Sequence, residues 1–268
     1  MFPDEYFFIG FIFYFFTAGY LSVFAPVNNH TIIYFASFLF LLFLFKKTTI
    51  NHEIKGLIQT LNIKQNRAVF LVLAGLVLSI AAIAANGINH HDTGLYHAQS
   101  IKWIQNYPVV PGLGNLHHRL AFNSMLFPVE ALFSVNYYIN PLDTKIIIYP
   151  LSALVSIVVF SRLFYLVFLE TRNRSFSGWK FTFYLLVLVL SLNYLLIFIA
   201  SPAPDTITAI LVIYILIDST HKNYTIGYKR LLFFFMLALA ALTIKLSYLF
   251  AVLFLIPMIG FKPDLKRF

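Results

Sequence analysis

The chain has no cysteine and little charge: Asp, Glu, Lys and Arg make up 11% of its 268 residues. Without cysteine there is neither a disulfide framework nor a thiolate metal site. A soluble domain carries about 25% charged residues, so charge this sparse excludes that class. A disordered chain needs high charge and few aromatics, and is excluded as well. Acidic groups are the scarcest, with 10 Asp and Glu against 19 Lys and Arg. Apolar residues fill the remainder. The composition is 60% hydrophobic with 31 Phe and 16 Tyr, and the mean hydropathy is +0.82. These residues fall in runs that approach or exceed the roughly 20 residues a bilayer-crossing helix needs. The sequence is that of an all-α, multi-span membrane protein.

The hydrophobic runs are Tyr6–Phe24, Thr31–Phe45, Ala68–Asn86, Ala121–Tyr138, Lys145–Leu169, Phe181–Ala200, Asp205–Ile217 and Leu231–Phe261. Most basic residues lie in four segments between or after them. Lys46, Lys47, Lys55, Lys64 and Arg67 fill the first; Arg172, Arg174 and Lys180 the second. Lys222, Lys229 and Arg230 form the third, and Lys262, Lys266 and Arg267 the last. The positive-inside rule places all four in the cytoplasm, and the net charge of +9 follows from that bias. No basic stripe lies elsewhere, so no nucleic-acid partner is expected. Met1-Phe2-Pro3-Asp4-Glu5 lacks the positive start of a signal peptide, which leaves the first run as a membrane helix.

These assignments predict one transmembrane domain over residues 1–268, a bundle of about eight spans with both termini inside. Residues 87–144 become a large outer loop, with Ala121–Tyr138 re-entrant or interfacial around Pro128 and Glu130. The run Leu231–Phe261 is too long for one ordinary span, and Lys245 interrupts it. A turn there makes two short helices of about 22 Å each at 1.5 Å per residue.

Three charged positions stand apart from the cytoplasmic segments. Asp92 opens an amphipathic stretch in which Asp92, Tyr96, Gln99 and Trp103 share one helical face. Leu95, Ala98, Ile101 and Ile104 form a neighbouring apolar stripe suited to the membrane surface. Asp205 sits in Ser201-Pro202-Ala203-Pro204-Asp205, a short outer turn that opens a helix. Lys245 is flanked by Leu242, Thr243, Ile244 and Leu246, and an intramembrane lysine is a functional candidate by default. Each also has a plain structural reading: helix capping for Asp92 and Asp205, snorkelling for Lys245. The topology nevertheless puts all three on the outer side, in a polar cavity roofed by the loop. His91, Asp92, His97, His117 and His118 offer metal ligands at no recognised zinc spacing. A divalent ion, Mg or Mn, held by Asp92 with His91 and a substrate phosphate is the metal alternative. Pro111-Gly112-Leu113-Gly114 lacks the third glycine of a nucleotide fingerprint and reads as a tight loop turn.

The chain resembles the C-type polytopic glycosyltransferases, the superfamily that includes protein O-mannosyltransferases and aminoarabinose–lipid A transferases. Three elements carry the resemblance: His91-Asp92-Thr93-Gly94-Leu95-Tyr96-His97-Ala98-Gln99 early in the loop, Pro204-Asp205, and Leu242-Thr243-Ile244-Lys245. Their order and intervals agree over most of residues 68–256. It is more similar still to a bacterial multi-pass branch of unassigned substrate, sharing Gly94-Leu95-Tyr96-His97, Pro111-Gly112-Leu113 and Leu120-Ala121-Phe122-Asn123. There are departures. Thr93 stands where the family often has a second acid, and its Lys-Pro-Pro element is absent, with Arg119 a candidate substitute. Two helices precede the family's first common span. Such enzymes are usually longer, so the chain is expected to be a shortened relative or the N-terminal part of a longer enzyme.

The resemblance implies sugar transfer from a polyprenyl-phosphate donor to a lipid, glycan or protein acceptor at the outer face of a bacterial inner membrane. On that view Asp92 is the general base, and Lys245 and Arg119 stabilise the leaving phosphate. Asp205, Tyr96, His97 and Gln99 contact substrate. A transporter or flippase of a lipid-linked sugar is the competing class. Its sites tend to lie near the midplane between repeated halves, and no internal repeat is visible here.

Overall fold

The computed structural model describes residues 3–61, 67–85, 90–134, 148–172, 177–221 and 228–255. Among them the fold is all-helical, with no strand. The principal helices are α1 (Pro3–Phe24), α2 (Asn29–Leu61), α3 (Arg67–Ala85), α4 (Ala98–Asn106) and α5 (Leu126–Phe133). They continue as α6 (Leu151–Arg172), α7 (Gly178–Leu195), α8 (Pro204–His221) and α9 (Tyr228–Ile244). Among the described residues three stretches are long and apolar enough to cross a bilayer: Asp4–Phe24, His30–Lys47 and Leu151–Arg172. Val69–Ala85 and Gly178–Leu192 are shorter apolar helices.

The core is shared by α1, α6, α8 and α9. Phe8, Phe11 and Phe15 of α1 meet Val155, Val159 and Leu163 of α6 and Ile207, Ile210 and Tyr214 of α8 in one buried cluster. Phe8 and Tyr214 pack with ring centroids 4.2 Å apart. Ala238, Ala240 and Ala241 line the buried side of α9, and small residues let helix backbones approach closely where every surface is apolar. The outward faces are apolar too. Tyr6, Ile9, Phe13, Leu71 and Leu78 are exposed, as on a helix whose surroundings are lipid.

Several elements differ from the sequence expectation. The apolar run ending at Phe45 does not end its helix: α2 continues through Lys46-Lys47 to Leu61. Lysine is a good helix former, so a change of polarity need not be a change of structure. None of the described side chains in the His30–Lys47 span is buried, and α2 packs on the edge of the core through Ile32 and Phe35, the latter against Tyr14 of α1. In Ala121–Tyr138 only Leu126–Phe133 is α-helical among the described residues, Ala121 ending the 3-10 turn His118–Ala121. Eight residues rise about 12 Å, which cannot cross a bilayer. Residues 135–147, where that run ended and the next began, lie outside the described residues. The chain does break at Lys245, but the segment beyond it, Leu246–Leu255, is a 3-10 helix rather than a second α-helix.

α8 and α9 are antiparallel, and their ends define two polar regions. Asp205 begins α8 and meets Lys245 just after α9, while Asp218 near the end of α8 meets Arg230 at the start of α9. Thirteen residues of helix separate Asp205 from Asp218, about 20 Å.

Candidate active site

Residues 90–134 are held against one end of the bundle by backbone hydrogen bonds. The Val27 N–H donates to the Ile104 carbonyl, and the Val109 N–H to the Ser22 carbonyl, each at 2.9 Å. At the other edge the segment docks on the C-terminus of α9, where helix carbonyls lack partners. The Met125 N–H donates to Thr243 O at 3.3 Å and the Ser124 hydroxyl to Ile244 O at 2.9 Å. The loop is therefore fastened one residue before Lys245. Gly112 provides the turn between, at φ 85°, a left-handed conformation that favours glycine.

The start of the segment is not an ordinary α-helix. Thr93–His97 is a π turn, closed by the Ala98 N–H donating to Thr93 O five residues back. Such turns carry one extra residue and shift the register that follows them. The buried face is consequently Thr93, His97, Ile101 and Gln105. Leu95, expected on the membrane-facing stripe with Ile101, is exposed while Ile101 is buried. Gln99, expected beside Asp92, lies exposed on the side of α4 away from Ile101.

Asp92 does not cap the helix. Its side chain makes no cap hydrogen bond; Arg119 Nη1 donates to its Oδ1 at 2.5 Å instead. The Arg119 guanidinium also lies over the Tyr96 ring, 5.5 Å from its centroid. Lys245 and Asp205 form a second ion pair, and the Tyr248 hydroxyl donates to the Asp205 carbonyl at 3.5 Å. Both pairs reach solvent: the side chains of Asp92 and Arg119 are about a third exposed, and that of Asp205 about half.

The two pairs flank the same rings. Burial raises the Tyr96 hydroxyl above its ordinary value, and the charges of Asp92 and Asp205 push it the same way. Burial and neighbouring His90 push the His97 ring down to about 4, with Asp92 and Asp205 opposing. His97 is 1% exposed and stacks on His90 with centroids 5.5 Å apart, touching Tyr96 and Phe127 on its other sides. Of the residues singled out from sequence, the structure thus brings together Asp92, Arg119, Tyr96, His97, Asp205 and Lys245. Gln99 stands outside. His91 is exposed with Nδ1 3.8 Å from Asp92 Oδ1, and among the described residues no three His, Asp or Glu gather as a metal site. The donor set at Asp92 does not fit a divalent ion unaided, because Arg119 already engages the carboxylate.

A second charged cluster at the opposite end was not singled out from sequence. Arg162 of α6 lies 3.7 Å from Asp4 and 3.5 Å from Asp218, and the Tyr214 hydroxyl donates to Asp4 at 2.9 Å. Arg230 contacts Glu5 at 3.3 Å and also pairs with Asp218. The legible signal was Arg162 itself, an arginine in the middle of the apolar run Lys145–Leu169.

Among the described residues the fold is all-helical, with three helices long and apolar enough to cross a membrane. It carries two ion pairs around the Tyr96 and His97 rings at one end, the features of a membrane protein with a polar site set against its bundle. The chain belongs to the family described as a domain of unknown function (DUF8201), which matches over residues 2–267. No curated protein and no solved structure matches it.

Proposed function

We propose that the protein is a membrane glycosyltransferase moving a sugar from a polyprenyl-phosphate donor to an acceptor at the outer face of a bacterial inner membrane. The observation that carries this reading is the convergence of Asp92–Arg119 and Asp205–Lys245 on Tyr96 and His97. The expected topology of about eight spans puts this end of the bundle outside. Nucleotide sugars do not reach that side, so the donor must be carried by lipid.

The ion pairs suggest how the chemistry is gated. A donor phosphate is a stronger partner for Arg119 and Lys245 than an exposed carboxylate, since it accepts several charge-assisted hydrogen bonds at once. Its arrival draws both cations away and leaves the Asp92 and Asp205 carboxylates free. Asp92 then takes the proton of the acceptor hydroxyl as its oxygen attacks the anomeric carbon. The bond from that carbon to the phosphate oxygen breaks, and the electron pair leaves with the lipid phosphate. Arg119 and Lys245 stabilise the charge that develops there. General-base assistance of this kind contributes about 10²–10⁴-fold. Asp205 positions the sugar, beside the Tyr96 ring.

The test is whether purified full-length protein in lipid releases polyprenyl phosphate from a lipid-linked sugar in the presence of acceptor. Movement of intact lipid-linked sugar across vesicles without release would make it a flippase instead.

A further inference from the structure

Four buried polar atoms gather at the π turn without a hydrogen-bond partner among the described residues. They are His90 Nδ1, Thr93 Oγ1 and both ring nitrogens of His97. One unpaired buried group costs about 1–3 kcal/mol, so four on three neighbouring side chains call for a reason. The groups share a chemistry: a neutral imidazole and a hydroxyl each donate and accept. That matches hydroxyls, which also give and take. It does not match a phosphate, whose cationic partners stand alongside on Arg119 and Lys245. Nor does it match a metal ion, since no third His, Asp or Glu joins the two rings among the described residues.

As the turn stands the His97 ring is packed among the rings of His90, Tyr96 and Phe127, and neither of its nitrogens has a partner among the described residues. The turn can supply the opening. Its outer residues Gly94 and Leu95 are exposed, with open space where a Gly94 side chain would begin. Tightening from π to α bonding removes one residue from the turn and moves Thr93 and His97 relative to α4.

We propose that His90, Thr93 and His97 form the subsite for the free hydroxyls of the transferred sugar, filled when the π turn rearranges on donor binding. The assignment rests on the lipid-linked sugar reading above and names the part of the donor that these residues contact.

The experiment titrates the full-length protein with undecaprenyl phosphate and with its glucose- and mannose-linked forms, comparing the parent with Thr93→Val and His97→Phe. Each variant should bind the bare lipid phosphate as the parent does and lose about tenfold in affinity for a sugar-linked form. Each should also unfold roughly 2–4 °C higher, because an unpaired buried polar group has been removed. Thr93→Ser, which keeps the hydroxyl, should bind the sugar-linked forms like the parent. Unchanged affinity for every ligand in Thr93→Val and His97→Phe overturns the subsite. Equal loss for bare and sugar-linked lipid also overturns it, since the groups would then hold the fold rather than the sugar. A parent that binds bare lipid phosphate as tightly as both sugar-linked forms refutes sugar recognition, and a parent that binds none of the three refutes the donor reading itself.

Discussion

Asp92 and Arg119 meet where both side chains are partly exposed, and an exposed pair is worth only about 0–1 kcal/mol. A pair so weak holds little of the fold, yet it keeps a carboxylate and a cation ready to exchange partners. Asp92→Asn should therefore leave unfolding nearly unchanged and abolish sugar transfer, measured as lipid-phosphate release. Because the Asp92 side chain makes no cap bond, near-parent turnover by that variant would leave the carboxylate without a chemical role. Glu130 is the opposite kind of acid. It is fully buried in α5 with neither oxygen hydrogen-bonded among the described residues, and burial pushes it up from 4.5 to about 8. The folded state thus holds this proton more tightly than the unfolded chain. The stability gained is full below about 4.5 and lost as pH rises through about 8, on the order of 5 kcal/mol in all. Glu130→Gln keeps the shape without the titration. Its thermal midpoint should rise relative to the parent's as pH goes from 5 to 8, because the contribution of His97 is common to both proteins, and a constant difference between them would assign the titration elsewhere.

Among the elements, Lys245 marks a break between two kinds of helix. α9 ends at Ile244 with its last carbonyls taken by Ser124 and Met125, and the 3-10 segment begins at Leu246. Lys245→Met keeps the length and the apolar stem, so insertion into the membrane should become easier. Transfer by the inserted Met variant should fall at least tenfold, while Lys245→Arg retains part of it by keeping the charge on a planar fork. Turnover at the parent rate in Lys245→Met would make this an incidental lysine. The break was legible because one charge in an apolar run is a strong signal. So were the starts of α1, α3 and α8, where long apolar runs begin. The π turn was not. A 3.6-residue template places Tyr96 and Gln99 with Asp92, and the single inserted residue that buries His97 leaves no mark in composition. The continuation of α2 was hidden for another reason: Lys46-Lys47 reports an interface, and an interface does not stop hydrogen bonds.

Across the whole molecule the two polar ends differ in burial, and that difference decides what each can do. Arg162 and Asp218 are almost fully buried, so removing one partner leaves charges uncompensated in an apolar surround. Arg162→Met should destabilise the bundle by about 3–5 kcal/mol, seen as a lower thermal midpoint in detergent. No comparable loss is expected from Arg119→Met at the exposed end. The acids of this network were hard to read from sequence because Asp4 and Glu5 precede the run that begins at Tyr6 and Asp218 follows the run that ends at Ile217, so none interrupts an apolar stretch. Only the fold unites them with Arg162 and Arg230. The proposed function depends on which end faces outward, and the chain's lack of cysteine makes that directly measurable. Asn106 and Asn115 are exposed at the end carrying Asp92, while Thr171 and Lys229 are exposed at the other. Cysteines placed singly at Asn106 or Asn115 should react with a membrane-impermeant thiol reagent in intact cells. Those at Thr171 or Lys229 should react only after the membrane is opened. The charge bias predicts this sense because Arg172, Lys180, Lys229 and Arg230 lie toward the second end. The reverse pattern would put Asp92, Arg119 and Lys245 in the cytoplasm, where nucleotide sugars are available, and would remove the argument for a lipid-borne donor.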